Sequence, residues 1–208
     1  MLSRTGRLWL AAAAAGLSVI MAQPAVQAWT VRGDAAAWSE VVAALKKQHS
    51  VSYRGKSSVF GNPLIVEFAP PDSQHTIIQG KVPDVIPPER ITVGNISWKR
   101  DHNGKWDCSD PLTLSPEQLV PLWDRKGEVT VGRIPDLVIN GMPTHGYAYT
   151  STFDPGTGSA LTISTKLYVA VQTGLPLRQI AEAATSRTPS TFDYYDYGAP
   201  ITIAPPCR

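Results

Sequence analysis

The sequence lacks the short motifs that mark most hydrolases, metal proteins and nucleotide-binding enzymes. Its four histidines, His49, His75, His102 and His145, form neither an H-x₃-H nor an H-E-x-x-H pattern, so no metal site is predicted. No G-x-S-x-G nucleophile elbow and no P-loop occurs. We therefore predict no catalytic residues and no cofactor, and expect a protein that is not an enzyme.

A run of basic residues is also missing. The chain has 19 Lys+Arg and 17 Asp+Glu, and its first 28 residues hold two of the basic residues, Arg4 and Arg7, and none of the acidic ones. The remaining 180 residues therefore carry 17 charges of each sign and a net charge of zero. This balance argues against nucleic-acid binding, which depends on phosphate neutralisation. It also provides no polybasic patch for an anionic membrane.

Cysteine is scarce, with Cys108 and Cys207 alone. In an oxidising compartment the two would form one disulfide. A metal pair and two free thiols are the alternatives, although two thiols with no histidine nearby cannot complete a metal site. We favour the disulfide, which would tie the C-terminal tail to the middle of the chain.

Long apolar runs are limited to the start of the chain. Arg4 and Arg7 precede an apolar stretch from Trp9 to Ala22, and Val26-Gln27-Ala28 follows. This is the pattern of a secretory signal peptide, residues 1–28, cleaved after about Ala28. An uncleaved membrane anchor is the alternative, but 14 apolar residues are too few to span roughly 30 Å of hydrocarbon. We expect a single exported domain, residues 29–208, that carries no lipid anchor at the cleavage point.

The remaining sequence predicts one early helix followed by strands and turns. Asp34 is an N-cap candidate, and helical spacing follows at Ala37, Trp38, Val41, Val42 and Leu45. Strand-like segments follow at Val51–Phe60, Leu64–Phe68, Gln74–Gln79 and Arg90–Arg100, the last read as one strand before an Asn103-Gly104 turn.

The segment Leu161–Val171 has the clearest strand pattern. Its apolar residues occupy odd positions and its polar residues even ones, which is typical of a half-buried antiparallel strand. Gly174 supplies a turn residue with positive φ, and Pro176 begins the returning strand.

A second, mid-chain helix is predicted over Ser115–Lys126. Ser115 is the N-cap, Pro116 takes the first helical position, and an apolar stripe follows at Leu119, Leu122 and Trp123. Such a short helix has to be held by packing of its apolar face.

Four colinear stretches, with these two helices, resemble the bacterial outer-membrane lipoprotein carrier (LolA-like) superfamily, and most closely its lipid-carrying lipoprotein (LppX/LprG-like) branch. They are Pro88–Cys108, Val138–Thr150, Lys166–Arg178 and Thr191–Pro206. The resemblance implies a mainly β (α+β) fold: a strongly curved, incompletely closed antiparallel sheet, or half-barrel. An N-terminal helix and the mid-chain helix would plug its open face. Unlike the lipidated branch, this chain has no lipidated cysteine, and its cysteine pair is not a family feature.

The function that the resemblance implies is a periplasmic carrier or binder of a lipid, glycolipid or lipoprotein. We expect a soluble monomer with transient membrane contact and envelope transport or lipoprotein partners. The alternative is a non-catalytic envelope module for protein–protein interaction or sensing. Candidate ligand-cavity residues are Trp98, Leu119, Leu122, Trp123, Tyr147, Leu161, Ile163, Leu167 and Val169.

Two features of the sequence have simpler interpretations than a ligand cavity or a catalytic site. Large aromatic residues in a small β-rich domain are often core rather than cavity lining. Asp193 and Asp196 could suggest paired carboxylates, but at a spacing of three they fall on opposite faces of a strand, so we interpret them as solvated charges.

Overall fold

A computed structural model describes residues 29–59, 61–153, 161–184 and 188–207. The predicted signal peptide lies outside these residues. Within them, no helix has the length and hydropathy needed to cross a bilayer.

One 12-stranded mixed sheet dominates the fold; it is curved and does not close on itself. Its strand order is β1-β8-β9-β10-β11-β12-β2-β3-β4-β5-β6-β7. All neighbouring strands pair antiparallel except β1 and β8. The strands are β1 (Trp29–Gly33), β2 (Tyr53–Val59), β3 (Asn62–Ala69), β4 (Ser73–Ile78), β5 (Glu89–Val93), β6 (Ile96–Arg100), β7 (Leu112–Thr113), β8 (Gly127–Ile139), β9 (Met142–Phe153), β10 (Leu161–Ala170), β11 (Pro176–Ala183) and β12 (Ser190–Tyr195). The predicted half-barrel fold class is confirmed.

Helix α1 (Ala35–His49) forms where the sequence predicts it. Asp34 caps it, because its Oδ1 accepts a hydrogen bond from the Ala37 N–H at 2.9 Å. Its buried side chains, Ala37, Trp38, Val41, Ala44 and Gln48, face the sheet. We call the side of the sheet that α1 covers the inner face, and the opposite side the outer face.

The mid-chain helix begins as predicted but is shorter. Helix α2 (Pro116–Leu119) has a single turn, and a separate 3₁₀ turn follows at Leu122–Asp124. Pro121 separates the two, because it lacks an N–H and disfavours helical backbone at the preceding residue. Val120 is accordingly extended, with φ −67° and ψ 119°. The expectation of a continuous helix to Lys126 was wrong.

The segment Arg90–Arg100 is a hairpin rather than one strand. Strand β5 ends at Val93, and Gly94, with φ +59°, turns the chain into β6. The predicted turn at Asn103-Gly104 also forms: the Gly104 N–H donates to the Asp101 carbonyl oxygen at 3.1 Å.

The predicted alternation in β10 holds over its first part. Ile163, Thr165 and Leu167 are buried while Ser164 and Lys166 are exposed. Towards the end of the strand both faces are buried. Tyr168 and Ala170 pack on the outer face in a small core with Ile139 and Leu177.

Gly174 makes the turn after β10, as predicted. Its φ is +64°, and its N–H donates to the Ala170 carbonyl oxygen at 2.8 Å. Pro176 then begins β11, at a position where a missing N–H is tolerated.

The disulfide between Cys108 and Cys207 is present, with 5.7 Å between the two Cα atoms. It joins the tail after β12 to the loop after β6.

Candidate functional site

The inner face beneath α1 is a packed core. Its cluster contains Ala37, Trp38, Val41, Ala44, Val129, Val131, Tyr147, Tyr149, Leu167 and Val169. Three of the predicted cavity residues, Tyr147, Leu167 and Val169, are therefore members of this core and pack beneath α1. A fourth, Leu122, packs against the same cluster from the mid-chain turns.

The remaining candidates are not all brought together. Leu161 and Ile163 lie on the inner face, opposite Phe153 and Ser151 in the register of β9 and β10. Trp98 pairs with Ile91 on the outer face and is 8% exposed. The sequence alone could not place Trp98, because a register change of one residue moves a side chain to the other face.

The mid-chain segment, residues 115–125, lies over the inner face and is held by side chains. The Trp29 indole Nε1–H donates to the Leu122 carbonyl oxygen at 3.1 Å. The Trp123 ring meets His49 edge-on, with ring centroids 5.6 Å apart. The Arg125 Nε–H donates to the Val120 carbonyl oxygen at 2.9 Å. Short turns anchored by a few long side chains suit an element that moves more easily than the strands below it.

A polar contact that joins the predicted residue Tyr147 to two residues outside the predicted set, Glu40 and Arg133, fastens α1 to the sheet. The Tyr147 hydroxyl donates to Glu40 Oε2, and Arg133 Nη2 lies 2.5 Å from Glu40 Oε1. Burial, with the hydrogen bond to Glu40, raises the pKa of Tyr147 to about 12, so Tyr147 stays protonated near neutral pH. Glu40 has no sequence signal for this role, since it lies on the exposed side of the helical pattern.

A second inner-face core lies past the C-terminal end of α1. The rings of Tyr53 and Phe68 stack with centroids 5.1 Å apart, and Tyr194 meets Tyr53 edge-on at 5.6 Å. The Tyr197 hydroxyl donates to the Pro176 carbonyl oxygen at 2.6 Å and accepts from Gln48 Nε2 at 3.1 Å. The tyrosines near the end of the chain thus connect β2, β11, β12 and α1.

The outer face carries a row of charges across the five strands β2 to β6, and Asp196, directly after β12, extends it at one end. Its members, in spatial order, are Asp196, Arg54, Glu67, His75, Glu89 and Arg100, joined by contacts of 2.7 to 3.5 Å. Burial alone would raise the pKa of Glu89, but hydrogen bonds from Arg100 and His75 hold it below its usual value. Glu89 and Arg100 also line an outer cleft of about 250 Å³. Because these groups satisfy one another, the row is a structural feature of the sheet rather than a set of free acids and bases.

The two aspartates weighed in the sequence have different partners. Asp193 pairs with Arg178 at 2.5 Å, and Asp196 pairs with Arg54 at 3.1 Å. They do not form a carboxylate pair. Among the described residues, no three His, Cys, Asp or Glu side chains converge to hold a metal ion.

Comparison with known proteins gives a structural relationship and no sequence-level one. No family model and no curated protein matches the sequence. The crystal structure of LprF from Mycobacterium bovis superposes with a TM-score of 0.53 at 13% identity, covering 84% of this chain and 99% of that one. The chain has a LolA-like fold. The predicted resemblance is therefore confirmed at the level of the fold.

Two further solved structures have lower scores. MucB in the Pseudomonas aeruginosa MucA/MucB complex matches with a TM-score of 0.47 at 13% identity, over 81% of this chain and 59% of that one. A LolA superfamily protein from Nitrosomonas europaea, NE2245, matches with a TM-score of 0.35 at 12% identity, over 76% of this chain and 92% of that one.

In this LolA-like fold, His49 occupies the junction between α1, the sheet and the mid-chain segment. Its ring lies 5.1 Å from the Phe68 ring and 5.6 Å from the Trp123 ring, centroid to centroid. Its Nε2 is buried and has no hydrogen-bond partner among the described residues. Burial lowers the pKa of His49, because the charged form loses hydration there.

This burial predicts a pH dependence of stability. Since the folded-state pKa of His49 lies below the value of 6.5 in the unfolded chain, the unfolded state binds more protons below about pH 7. The free energy of unfolding should therefore fall as pH drops through 6.5, and level off below the folded-state pKa. His49→Phe keeps an aromatic ring and removes the titration, so its stability should change less between pH 7 and pH 5.

Urea unfolding at a series of pH values measures the difference. His102→Phe is the control, because His102 is exposed. Parallel pH profiles for the wild type and His49→Phe would contradict the prediction.

Proposed function

We propose that this protein binds and carries an acyl-chain amphiphile, held between the inner face of the sheet and the mid-chain segment. One observation carries the proposal: an unclosed, curved sheet presents an apolar inner face, and two short turns rather than a long helix lie over part of it. A protein of this form can shield an acyl chain from water without performing chemistry. Each CH₂ group that leaves water contributes about 0.8 kcal/mol, so an amphiphile needs such shielding to cross an aqueous space.

The proposed location is the periplasm. The signal-like first 28 residues and the disulfide between Cys108 and Cys207 both fit an exported protein, since disulfides persist in oxidising compartments. Transient contact with a donor and an acceptor membrane or lipoprotein would follow from the carrier role.

The mid-chain segment would act as the gate. Trp123 and Leu122 approach the inner face from the solvent side, through His49 and the α1 core respectively. Leu119, half-buried at the end of α2, would contribute to the same apolar surface. Displacing these side chains would expose the inner face at Leu161 and Ile163 to an incoming chain.

Trp123→Asp should therefore reduce retained lipid by about tenfold, because a carboxylate in an apolar site costs more than the roughly 1.4 kcal/mol that a factor of ten requires. Native mass spectrometry with lipid extraction from purified protein measures retention. Val85→Asp is the matched control: it makes the same kind of change at a side chain that is 78% exposed, and should retain lipid like the wild type.

Thermal melts separate loss of the gate from loss of the fold. If Trp123→Asp fails to fold, Leu119→Asp tests the same surface from the other turn. Full lipid retention in either folded variant would contradict the gate. Wild-type protein that carries no lipid at all would contradict the carrier function.

A second candidate function, protein–protein interaction in the envelope, is favoured by a different observation. Four apolar side chains near two neighbouring turns are exposed: Leu137, Val138, Met142 and Val171, at 44, 70, 38 and 50%. Exposed apolar residues grouped in this way are a common feature of docking surfaces. A discrete protein partner recovered in pull-downs, together with the absence of co-purifying lipid, would favour this candidate over the carrier.

A further inference from the structure

Arg90 differs from the other arginines of the described residues. The other six, Arg32, Arg54, Arg100, Arg125, Arg133 and Arg178, each have a carboxylate or carbonyl partner. Arg90 is half-buried and has no ion pair or side-chain hydrogen bond within the described part of the chain. Burial also lowers its pKa. A desolvated cation without a partner is costly, so its presence calls for an explanation.

The register of the sheet places a second cation beside it. Arg90 in β5 lies directly opposite Lys99 in β6, and like charges in this position destabilise a sheet. Both side chains are on the inner face, whereas the carboxylates of Glu67 in β3 and Glu89 in β5 are on the outer face and already paired. The pair therefore forms a positive site on an otherwise apolar or neutral surface.

The same register leads from this site into the apolar part of the inner face. Directly opposite residues form a row across six strands: Lys99, Arg90, Thr76, Val66, Gly55 and Tyr194. Val66 is buried and lies two strand spacings, or about 10 Å, from Arg90. Gly55 leaves room for the Phe192 ring, which a Cβ at this position would overlap. Lys99, at the other end, is exposed to solvent.

We propose that Arg90 and Lys99 bind the anionic headgroup of an amphiphile whose acyl chain lies along the inner face towards Val66. The proposal rests on the carrier function and names its ligand class: an acyl chain joined to a phosphate or carboxylate. A guanidinium binds such oxygens through two parallel hydrogen bonds. The exposed lysine would meet the headgroup at the rim, and the half-buried arginine would hold it on the inner face.

Matched probes with one dodecyl chain test the headgroup. Dodecyl phosphate, dodecyl maltoside and dodecyltrimethylammonium are titrated into the full-length mature protein below their micelle concentrations, with calorimetry as the readout. Inorganic phosphate is a fourth probe. We expect dodecyl phosphate to bind tightest, the cationic probe weakest, and inorganic phosphate not measurably, because the acyl chain supplies much of the binding free energy.

Arg90→Gln should weaken dodecyl phosphate binding by at least tenfold, because hydrogen bonds to charged groups contribute about 1.5–3 kcal/mol. Its affinity for dodecyl maltoside should not change. Lys99→Gln should have a smaller effect in the same direction. Arg32→Gln and Lys56→Gln are the charge-matched controls away from the inner face, at exposed side chains, and should bind all probes like the wild type.

The outcomes distinguish a failure of the carrier function from a failure of the headgroup site alone. If none of the three amphiphiles binds, the carrier function itself fails. If all three bind with equal affinity, or Arg90→Gln leaves dodecyl phosphate binding unchanged, the carrier function stands and the headgroup site is wrong. If inorganic phosphate binds as tightly as dodecyl phosphate, the site takes a free anion and the amphiphile assignment is wrong.

The melting temperature of unliganded protein gives an independent readout. Because Arg90 is unpaired and faces Lys99, Arg90→Gln should melt at a temperature equal to or above that of the wild type. A lower melting temperature would show that Arg90 stabilises the unliganded fold, and would contradict a role reserved for the ligand.

Discussion

Replacement of Cys207 by serine is expected to lower the free energy of unfolding by about 4–5 kcal/mol. The bridge to Cys108 closes a loop with a sequence separation of 99, and long loops lose the most chain entropy in the unfolded state when they are closed. Total stabilities of domains are typically about 5–15 kcal/mol. The variant should therefore be marginally folded at physiological temperature.

Urea unfolding under non-reducing conditions measures this loss. Cys108→Ser and the double variant should lose the same free energy as Cys207→Ser, because all three remove one and the same bond. Added reductant should destabilise the wild type and leave the three variants unchanged. Equal stability of wild type and variants would show that the bridge contributes nothing to the fold.

Phe68→Ala should lower the free energy of unfolding by about 3–5 kcal/mol. Phe68 is 0% exposed, its ring stacks on Tyr53, and it also contacts the His49 ring, so truncation leaves a cavity at the centre of the second inner-face core. The same change loosens the support of His49, and through it the contact with Trp123. Lipid retention should fall together with stability.

Phe192→Ala is the matched control for this substitution. The Phe192 ring is only half-buried and lies at the edge of the same core, so its removal should cost clearly less. Denaturation curves of the two variants give the comparison. An equal loss at both positions would mean that Phe68 is not the centre of this core.

Local patterns in the sequence predicted the elements that depend on local chemistry. Helix α1 has a capping aspartate and a sustained apolar stripe, and both act within one helix. The turn at Gly174 and the start of β11 at Pro176 likewise follow from the backbone freedom of glycine and the missing N–H of proline. The end of α2 is equally local, because Pro121 stops the helix although the apolar stripe continues to Trp123.

Features set by strand pairing could not be predicted in this way. Strand β12 joins β2 and thereby connects the two halves of the sheet, a contact between residues far apart in the sequence. The face on which Trp98 lies, the outer row of charges and the pairing of Arg90 with Lys99 all follow from register. Whether Leu167 and Val169 line a cavity or fill a core depends in turn on where α1 packs. The sequence pattern of β10 does not determine the position of α1.

The two edges of the open sheet have a consequence for solubility. An exposed edge strand is a template on which a second molecule can add a strand, and repeated addition leads to fibrils. Strand β7 offers only two residues, Leu112 and Thr113, directly after Pro111, which has no N–H to donate. Strand β1, at the other edge, is five residues long. The open half-barrel thus ends in short strands, which offer few backbone groups for the addition of another copy.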